Sequence, residues 1–526
     1  MNNWILLAFC IYMLGMLIIG ITSSKKNKNA DDYFLGGRNL GGWVAALSAQ
    51  ASDMSGWLLM GLPGAIYAFG TNQVWIAVGL FIGTVCNWLF VAGKLRKYTI
   101  KAGNAMTIPE YLSNRFRDEK KVLMAISAVV IVVFFLVYTA SAFAAGGKLF
   151  SSVTDLDYHQ ALTLGAAVIL LYTFLGGFIA VCKTDFIQGT LMLLGILAVP
   201  ITAVMVMGAG EVAPNIINSL KSDGIAATSS QFLNVMYDGD KPITFINICS
   251  QLAWGLGYCG MPHILVRFMA IRDEKELNKS KKVAIVWVLL SLAVACIIGV
   301  VGRAYLDASV LRETSSENVY IEMIKKLFFD DINAPLIGGI LLCCILAAIM
   351  STADSQLLVS SSSVAKDLCK GVCFKKLSDK QVLLISRITV ILIAGIAYVI
   401  AWNPDSSIMQ LVSDAWAGLG SAFGPTILMS LYWKKTNLPG AAAGMISGGL
   451  TVIIWDYVKM FEKTVIDEVT GAEKIIRITL AEKTGVYSLL VGFFVSLLFI
   501  VVVTLLTKPV DEEIVREFED VKNGNV

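Results

Sequence analysis

Residues 48–57 read SAQASDMSGW, and the reading of this stretch decides the fold. It sets Asp53 in the middle of a run from Gly41 to Phe69 that is otherwise mostly apolar and small, with GLPG following at 61–64. The run is long enough to cross a bilayer, which takes about 20 apolar residues of helix. A carboxylate at a membrane helix centre costs about 2.5–3.5 kcal/mol on insertion scales, so it needs a cavity or a partner. The Ser, Gly and Pro around it favour a helix that breaks part-way. A second stretch, WGLGYCGMPH at 254–263, carries the same mixture. An isolated glycine in a membrane helix usually serves close packing, but paired interruptions with polar neighbours mark the binding site of a secondary transporter.

Composition agrees with a membrane protein. The chain has 526 residues, of which 56% are hydrophobic and 15% charged, and its mean hydropathy is +0.71. That is too apolar for a soluble chain of this length. A net charge of +3 gives no bias toward nucleic acid or an acidic partner. The ten cysteines lie mostly inside apolar runs without the spacing of a disulfide framework. Cys369 and Cys373 in KDLCKGVCFKK have neither of the two histidines nearby, which argues against a metal site. The first run, Trp4 to Thr22, lacks a basic leader and an A-x-A cleavage site, so it reads as a retained helix.

The apolar runs predict thirteen spans, near 4–23, 41–69, 73–93, 122–148, 159–181, 186–208, 244–266, 283–302, 334–364, 383–402, 407–433, 439–458 and 486–507. KKNK, KLRKYTIK through RFRDEKK, RDEKELNKSKK and KDLCKGVCFKK fall on one side, and their Lys and Arg predict the cytoplasm there. The N-terminus is then outside, and the tail DEEIVREFEDVKNGNV is a solvated, partly helical cytoplasmic end. The interrupted spans are five apart, so spans 2–6 and 7–11 pair as two five-helix halves. Five is odd, so the halves enter the membrane oppositely, as in an inverted repeat. The predicted organisation is 1–40 (extra helix and loop), 41–208 (first repeat), 209–243 (outer loop), 244–433 (second repeat), 434–507 (two further helices) and 508–526 (tail).

Asp53 has two readings: a cation-site or gating carboxylate, and a cap accepting from backbone N–H groups of the half-helix after the break. In the ninth span Ala348, Ser351 and Thr352 stand at i, i+3 and i+4, so one carbonyl and two hydroxyls share a face. A hard monovalent cation takes such oxygens. The serines at 360–363 read instead as bonding back to backbone or to a neighbouring helix. Trp57, Tyr138, Trp254 and Tyr258 near the breaks offer flat faces for a small ring or an ammonium group, or simply core packing.

ADDYFLGGRNLGG, ALSAQASDMSGWLLMGLPG, YTFLGGFIAVCKTDFIQ, WGLGYCGMPHILVRFMA, ILAAIMSTADSQLLVSSS and DAWAGLGSAFGP are collinear and long. From about residue 5 to residue 507 the chain closely resembles the sodium:solute symporter family, and within it the bacterial proline carriers. The resemblance implies an all-α, leucine-transporter-type fold with a five-plus-five inverted repeat, in the bacterial cytoplasmic (inner) membrane. It implies sodium-coupled uptake of L-proline with no covalent chemistry and no cofactor beyond sodium as coupling ion. The implied sodium ligands are the carbonyls of Ala51, Met54 and Ala348 and the hydroxyls of Ser351 and Thr352. The implied proline contacts are Ser55, Gly56, Trp57, Tyr138, Trp254, Tyr258 and Pro262. Arg38, Asp53 and Asp185 match positions important for transport, although Arg38 also reads as an ordinary positive-inside anchor. Asp354 departs from the proline-carrier pattern. Asp185, Ser351, Asp354 and Ser355 match a second cation site of sialic acid carriers; the alternative leaves Asp354 in water near the cytoplasmic end, helping sodium to leave. Partners beyond proline, sodium and lipid are not implied. Other solutes or protons on the same frame, a transporter-like sensor and a channel are the rivals; the short tail after Thr507 counts against a sensor with an output domain, and no G-x-x-x-x-G-K-[ST] loop points to an ATP-driven pump.

Overall fold

Both interrupted stretches are broken helices in the computed structural model, which describes residues 3–24, 30–173, 177–225, 228–313, 315–374, 376–466 and 473–524. The first runs as Gly42–Asp53, leaves helical geometry at Met54 (φ −82°, ψ 70°), and resumes through a wide turn, Trp57–Gly61, into Leu62–Phe69. The second runs as Phe245–Leu252, tightens to a 3₁₀ helix over Ala253–Gly260, extends at Met261 (φ −88°, ψ 101°) and restarts as Pro262–Ala270. Pro262 takes the first helical position, where its missing N–H costs nothing and its φ is already helical.

Leu40 precedes the first broken helix and Ile271 follows the second. They are joined by backbone hydrogen bonds, from Leu40 N to Ala270 O at 3.0 Å and from Arg272 N to Leu40 O at 3.1 Å. The start of one broken helix therefore lies beside the end of the other, and the two run antiparallel, as an inverted repeat requires.

Nine helices among the described residues are long and apolar enough to cross a membrane. The four expected spans outside that set have physical reasons to differ. The second and seventh are the broken ones. The described part of the fifth is the short helix Tyr158–Thr173, and the sixth, Phe178–Met207, starts several residues before the expected 186. The eleventh, Ile408–Tyr432, is rich in Gly and Ser and carries Pro425 inside. The basic run at 25–28 and residues 174–176 of the YTFLGG motif lie outside the described residues.

Two expected loops are helical instead. KLRKYTIK continues the third passage to Lys101, and KDLCKGVC extends the ninth as wide helical turns to Cys373. The chain is also not wholly helical: two antiparallel hairpins, Tyr237–Asp238 with Lys241–Pro242 and Phe461–Ile466 with Glu473–Ile478, sit in the long loops. The tail forms the helix Glu512–Asn523, as its charge pattern suggests.

Between the helices small residues permit close contact. A Cβ on Gly255 would lie 2.1 Å from Gly79 O, so the second break packs backbone to backbone against the third passage. Outward-facing Leu194, Ile391, Leu392, Leu498 and Leu505 are all exposed, a surface that lipid covers without penalty. Polar contacts gather at two ends. At the basic end Lys366 pairs with Glu110 at 2.8 Å, and the tail helix is held by Arg117–Glu517 at 2.7 Å and Lys434–Glu519 at 3.0 Å. At the other end Lys148 pairs with Glu317 at 2.6 Å and Arg312 with Asp223 at 2.6 Å.

Candidate functional site

Asp53 closes the last turn of the first half-helix and is fully buried. Its Oδ2 accepts from the Tyr258 hydroxyl at 2.7 Å, across to the second broken helix. Its main-chain carbonyl collects Ser55 N at 3.0 Å, Trp57 Nε1 at 3.2 Å and the Tyr138 hydroxyl at 3.4 Å. At the start of the half-helix after the break the Trp57 N–H reaches Ser55 Oγ at 3.4 Å, and the Asp53 carboxylate accepts from none of its N–H groups. The capping reading of Asp53 is therefore replaced by a bridge between the two breaks, because the side chain leaves the end of its own half-helix toward Tyr258.

Beside this bridge the first broken helix meets the ninth passage, Pro335–Ser362. The Ser351 hydroxyl lies 2.8 Å from Ala51 O and 3.2 Å from Ala348 O, and the Thr352 hydroxyl lies 3.5 Å from Ala51 O. Four of the five expected sodium-binding residues thus converge. Met54, the fifth, is buried at the break itself. Ala51 and Met54 stand at the C-terminal end of a half-helix, where carbonyl dipoles favour a cation. In the serine run, Ser361 and Ser362 bond back to Leu358 O and Val359 O at 3.0 and 2.8 Å, as expected for structural hydroxyls.

The seven expected solute contacts are all buried. Trp57 and Trp254 have ring centroids 6.3 Å apart, Tyr258 meets Trp416 edge-on at 5.1 Å, and Pro262 opens the half-helix whose His263 ring faces Phe135 and Tyr138. Gly56 has no room for a side chain, since a Cβ there would lie 2.9 Å from that of Ala145. Trp254 alone of the seven also lines a cavity of about 560 Å³, with Gln251, Gln410, Asp414, Asp456 and Tyr487, that opens beside the loop 459–485. Its indole stacks on Tyr487 at 5.1 Å and its carbonyl accepts from Trp416 Nε1 at 2.8 Å. Trp254 lines that vestibule.

Arg38 does not reach outward as a headgroup anchor. Its guanidinium binds Asn104 Oδ1 at 2.8 Å, Thr99 Oγ1 at 3.2 Å, Met269 O at 2.7 Å and Ala105 O at 2.6 Å, tying the basic end of the second broken helix to the third passage and its loop.

Asp185 is buried, and its Oδ2 accepts from Ser48 Oγ at 2.6 Å and from Arg267 Nη2 at 3.2 Å. Arg267 Nη2 also reaches Ser355 Oγ at 2.5 Å, and Ser355 Oγ lies 3.2 Å from Asp354 Oδ1. Asp354 is fully buried, which replaces the reading that leaves it in water. Arg267 was not singled out by sequence reasoning because it lies just before the basic run that starts at Arg272. The signal was the break: five residues beyond Pro262, at about 1.5 Å each, leave it well inside the roughly 15 Å half-thickness of the hydrocarbon core.

The pattern described as "Sodium:solute symporter family" matches residues 33–448. The chain belongs to the sodium:solute symporter family. This symporter is 43% identical over 97% of its length, and 96% of the other chain, to the osmoregulated proline transporter OpuE of Bacillus subtilis. It is 41% identical, over 96% and 93% of the two chains, to a sodium/proline symporter of Staphylococcus aureus. Among solved structures it resembles a substrate-bound outward-open Na+-coupled sialic acid symporter (TM-score 0.73, 18% identity, 97% and 99% of the chains). It also resembles a nucleobase-cation-symport-1 family transporter in a closed conformation (TM-score 0.51, 12% identity, 94% and 99% of the chains). These likenesses carry the fold, that of five-plus-five secondary transporters. The symporter is a multi-pass membrane transporter and not an enzyme.

Proposed function

We propose that this symporter couples sodium entry to uptake of L-proline by alternating access. The observation that carries sodium coupling is the meeting of Ala51 O with the Ser351 and Thr352 hydroxyls, which gathers oxygens where a half-helix ends. Proline is favoured by the names of two relatives that cover nearly the whole chain.

Sodium takes the carbonyls of Ala51, Met54 and Ala348 and the hydroxyls of Ser351 and Thr352, and so draws the first broken helix onto the ninth passage. Proline sits between Ser55, Gly56, Trp57, Tyr138, Trp254, Tyr258 and Pro262. Both second half-helices, 57–69 and 262–270, begin at the breaks, so their positive ends suit its carboxylate, and the aromatic faces suit its ring. Asp53 shapes the break, and Arg38 and Asp185 hold the surrounding elements. The basic end is the cytoplasmic face of the bacterial membrane and the vestibule above Trp254 opens outward, with the N-terminus outside and the tail helix inside. Alternating access moves the two broken helices and the third passage, which are bonded together at the basic end, against the ninth passage. One charge crossing 100 mV supplies about 2.3 kcal/mol. A tenfold sodium gradient adds about 1.4 kcal/mol, enough together for several-hundredfold accumulation.

The test is uptake of labelled proline into proteoliposomes with and without an inward sodium gradient. Uptake that follows the gradient and is competed only by proline and its close analogues is the expected result. Uptake driven by protons, or indifferent to proline, overturns the proposal in favour of another ion or solute on the same frame.

A further inference from the structure

We infer that the basic end binds one anionic phospholipid, with an acyl chain in an apolar groove and the phosphate in a lysine-lined cavity beside it. The groove, about 430 Å³, is walled by Ile82, Cys86 and Phe90 of the third passage, Leu256 of the second break, Leu428 of the eleventh passage and Phe493 of the thirteenth. Ile82 and Phe90 are 52% and 56% exposed, so it lies on the surface that lipid covers. The cavity, about 270 Å³, is lined by Lys94, Tyr98, Tyr432, Lys434, Glu519 and Lys522. The same two passages wall both. Ile82, Cys86, Phe90, Lys94 and Tyr98 follow at four-residue intervals, as do Leu428 and Tyr432, so the groove leads into the cavity along both helices. At the junction the Tyr432 hydroxyl donates to Phe90 O at 2.7 Å. From Ile82 to Lys94 is about 18 Å of helix, against about 15 Å of hydrocarbon in one leaflet.

Charge selects the headgroup. Lys434 and Lys522 share Glu519, at 3.0 and 3.8 Å. Lys94 has no carboxylate partner among the described residues, and its ammonium lies over the Tyr432 ring, 3.5 Å from the centroid. Three lysines against one glutamate leave the cavity positive. Tyr98 is 1% exposed, and its hydroxyl has no hydrogen-bond partner among the described residues, which leaves a donor in the cavity wall. Behind that wall the Arg115 guanidinium stacks on Tyr98 and Phe518, 5.0 and 5.6 Å from Cζ to the ring centroids, and its two terminal nitrogens are likewise without partners. Ammonium and hydroxyl donors of this kind take a phosphate through charge-assisted hydrogen bonds. A net-negative lipid matches the excess charge where a zwitterionic one does not, and the adjoining groove gives a lipid a hold that free phosphate lacks. Glu519 and Lys522 belong to the tail helix Glu512–Asn523, so the bound phosphate also fastens that helix to the third passage.

The test uses the purified full chain in detergent, titrated with phosphatidylglycerol, phosphatidylcholine or inorganic phosphate, with thermal unfolding and native mass spectrometry as readouts. Wild type is expected to keep one phosphatidylglycerol and to unfold at a higher temperature with it, and to respond to neither phosphatidylcholine nor inorganic phosphate. Lys94→Gln and Lys522→Gln should each raise the phosphatidylglycerol concentration for half effect by roughly fivefold, while Lys94→Arg stays near wild type. Lys522 is 62% exposed on the tail helix, so its replacement leaves the packing of the spans intact. An equal shift with phosphatidylcholine, or one unchanged in Lys522→Gln and in the double variant, overturns the inference. The full shift with inorganic phosphate alone overturns it in favour of a soluble anion. Neither readout involves transport, so the outcome is independent of the proposed function.

Discussion

The hydroxyl of Tyr258 donates to the carboxylate of Asp53 at 2.7 Å, so the two helix breaks are joined by a single side-chain hydrogen bond. The other carboxylate oxygen, Oδ1, has no hydrogen-bond partner among the described residues. Tyr258→Phe removes the bond and leaves a buried charge-bearing group without its donor, at a cost of about 1–3 kcal/mol. Transport is expected to fall by roughly tenfold or more on the same scale, with the protein still folded by circular dichroism. Unchanged initial uptake rates would show that the bridge has no part in transport.

Ser351→Ala and Thr352→Ala should both raise the sodium concentration for half-maximal uptake, and Ser351→Ala should do so more. The reason is distance: the Ser351 hydroxyl lies 2.8 Å from Ala51 O, that of Thr352 3.5 Å. Loss of one ligand worth about 1.4 kcal/mol shifts half-activation roughly tenfold. Sodium titration of proline uptake checks the order, and no shift in either variant would move the ion elsewhere.

Trp254→Ala removes a large lining side chain of the vestibule and its stacking on Tyr487. Apparent proline affinity is expected to weaken by roughly tenfold, in keeping with loss of a large aromatic contact, while sodium half-activation stays put. A change confined to sodium activation would mean that the two sites are not separate.

Arg38→Lys keeps the charge but not the fork that reaches Asn104, Thr99, Met269 and Ala105 at once. The maximal rate should drop with half-activation by sodium unchanged, since the contacts lie at the basic end, away from the oxygens around Ala51. Equal rates for lysine and arginine would reduce Arg38 to its charge.

Glu317 lies outside the spans, where it accepts from Lys148 Nζ at 2.6 Å, Ser407 Oγ at 2.9 Å and the backbone N–H groups of Ile408 and Met409 at 3.2 and 3.0 Å. Burial alone would raise its pKa, but Lys148 and these donors more than offset that and hold it below the ordinary carboxylate value. A depressed carboxylate contributes stability above its unfolded-state pKa and loses it as pH falls through the folded-state value. Thermal unfolding of detergent-solubilised protein should therefore show wild type losing stability in the mildly acidic range below pH 5. Glu317→Gln should start lower at neutral pH and lack that part of the slope.

The breaks, the opposed entry of the two halves and the shared face of Ala348, Ser351 and Thr352 were legible because each rests on local sequence: small residues that interrupt an apolar run, and two adjacent hydroxyls one turn beyond an alanine; Ala51 came only through the family resemblance. The extent of the third and ninth passages was not, since Lys and Arg at a helix end look the same whether the last turns are helical or looped. Arg267 was hidden for a different reason. Its partners Ser48, Asp185 and Ser355 are 219, 82 and 88 residues away, and nothing local announces that they meet. Asp53 and Tyr258 were each noticed, but their bond spans 205 residues and only the antiparallel packing creates it.

The Leu40–Ile271 stitch limits how the basic end can open. With the start of one broken helix bonded to the end of the other, and Arg38 bridging Met269 to the third passage, these elements can swing only as one body at that end. The seam left to part is the one against the ninth passage, where Ser351 meets Ala51 and Ser355 meets Arg267. On the proposed reading, the ion is the rivet in that seam: while it stays the inner door is shut, and its departure and the door's opening are one event.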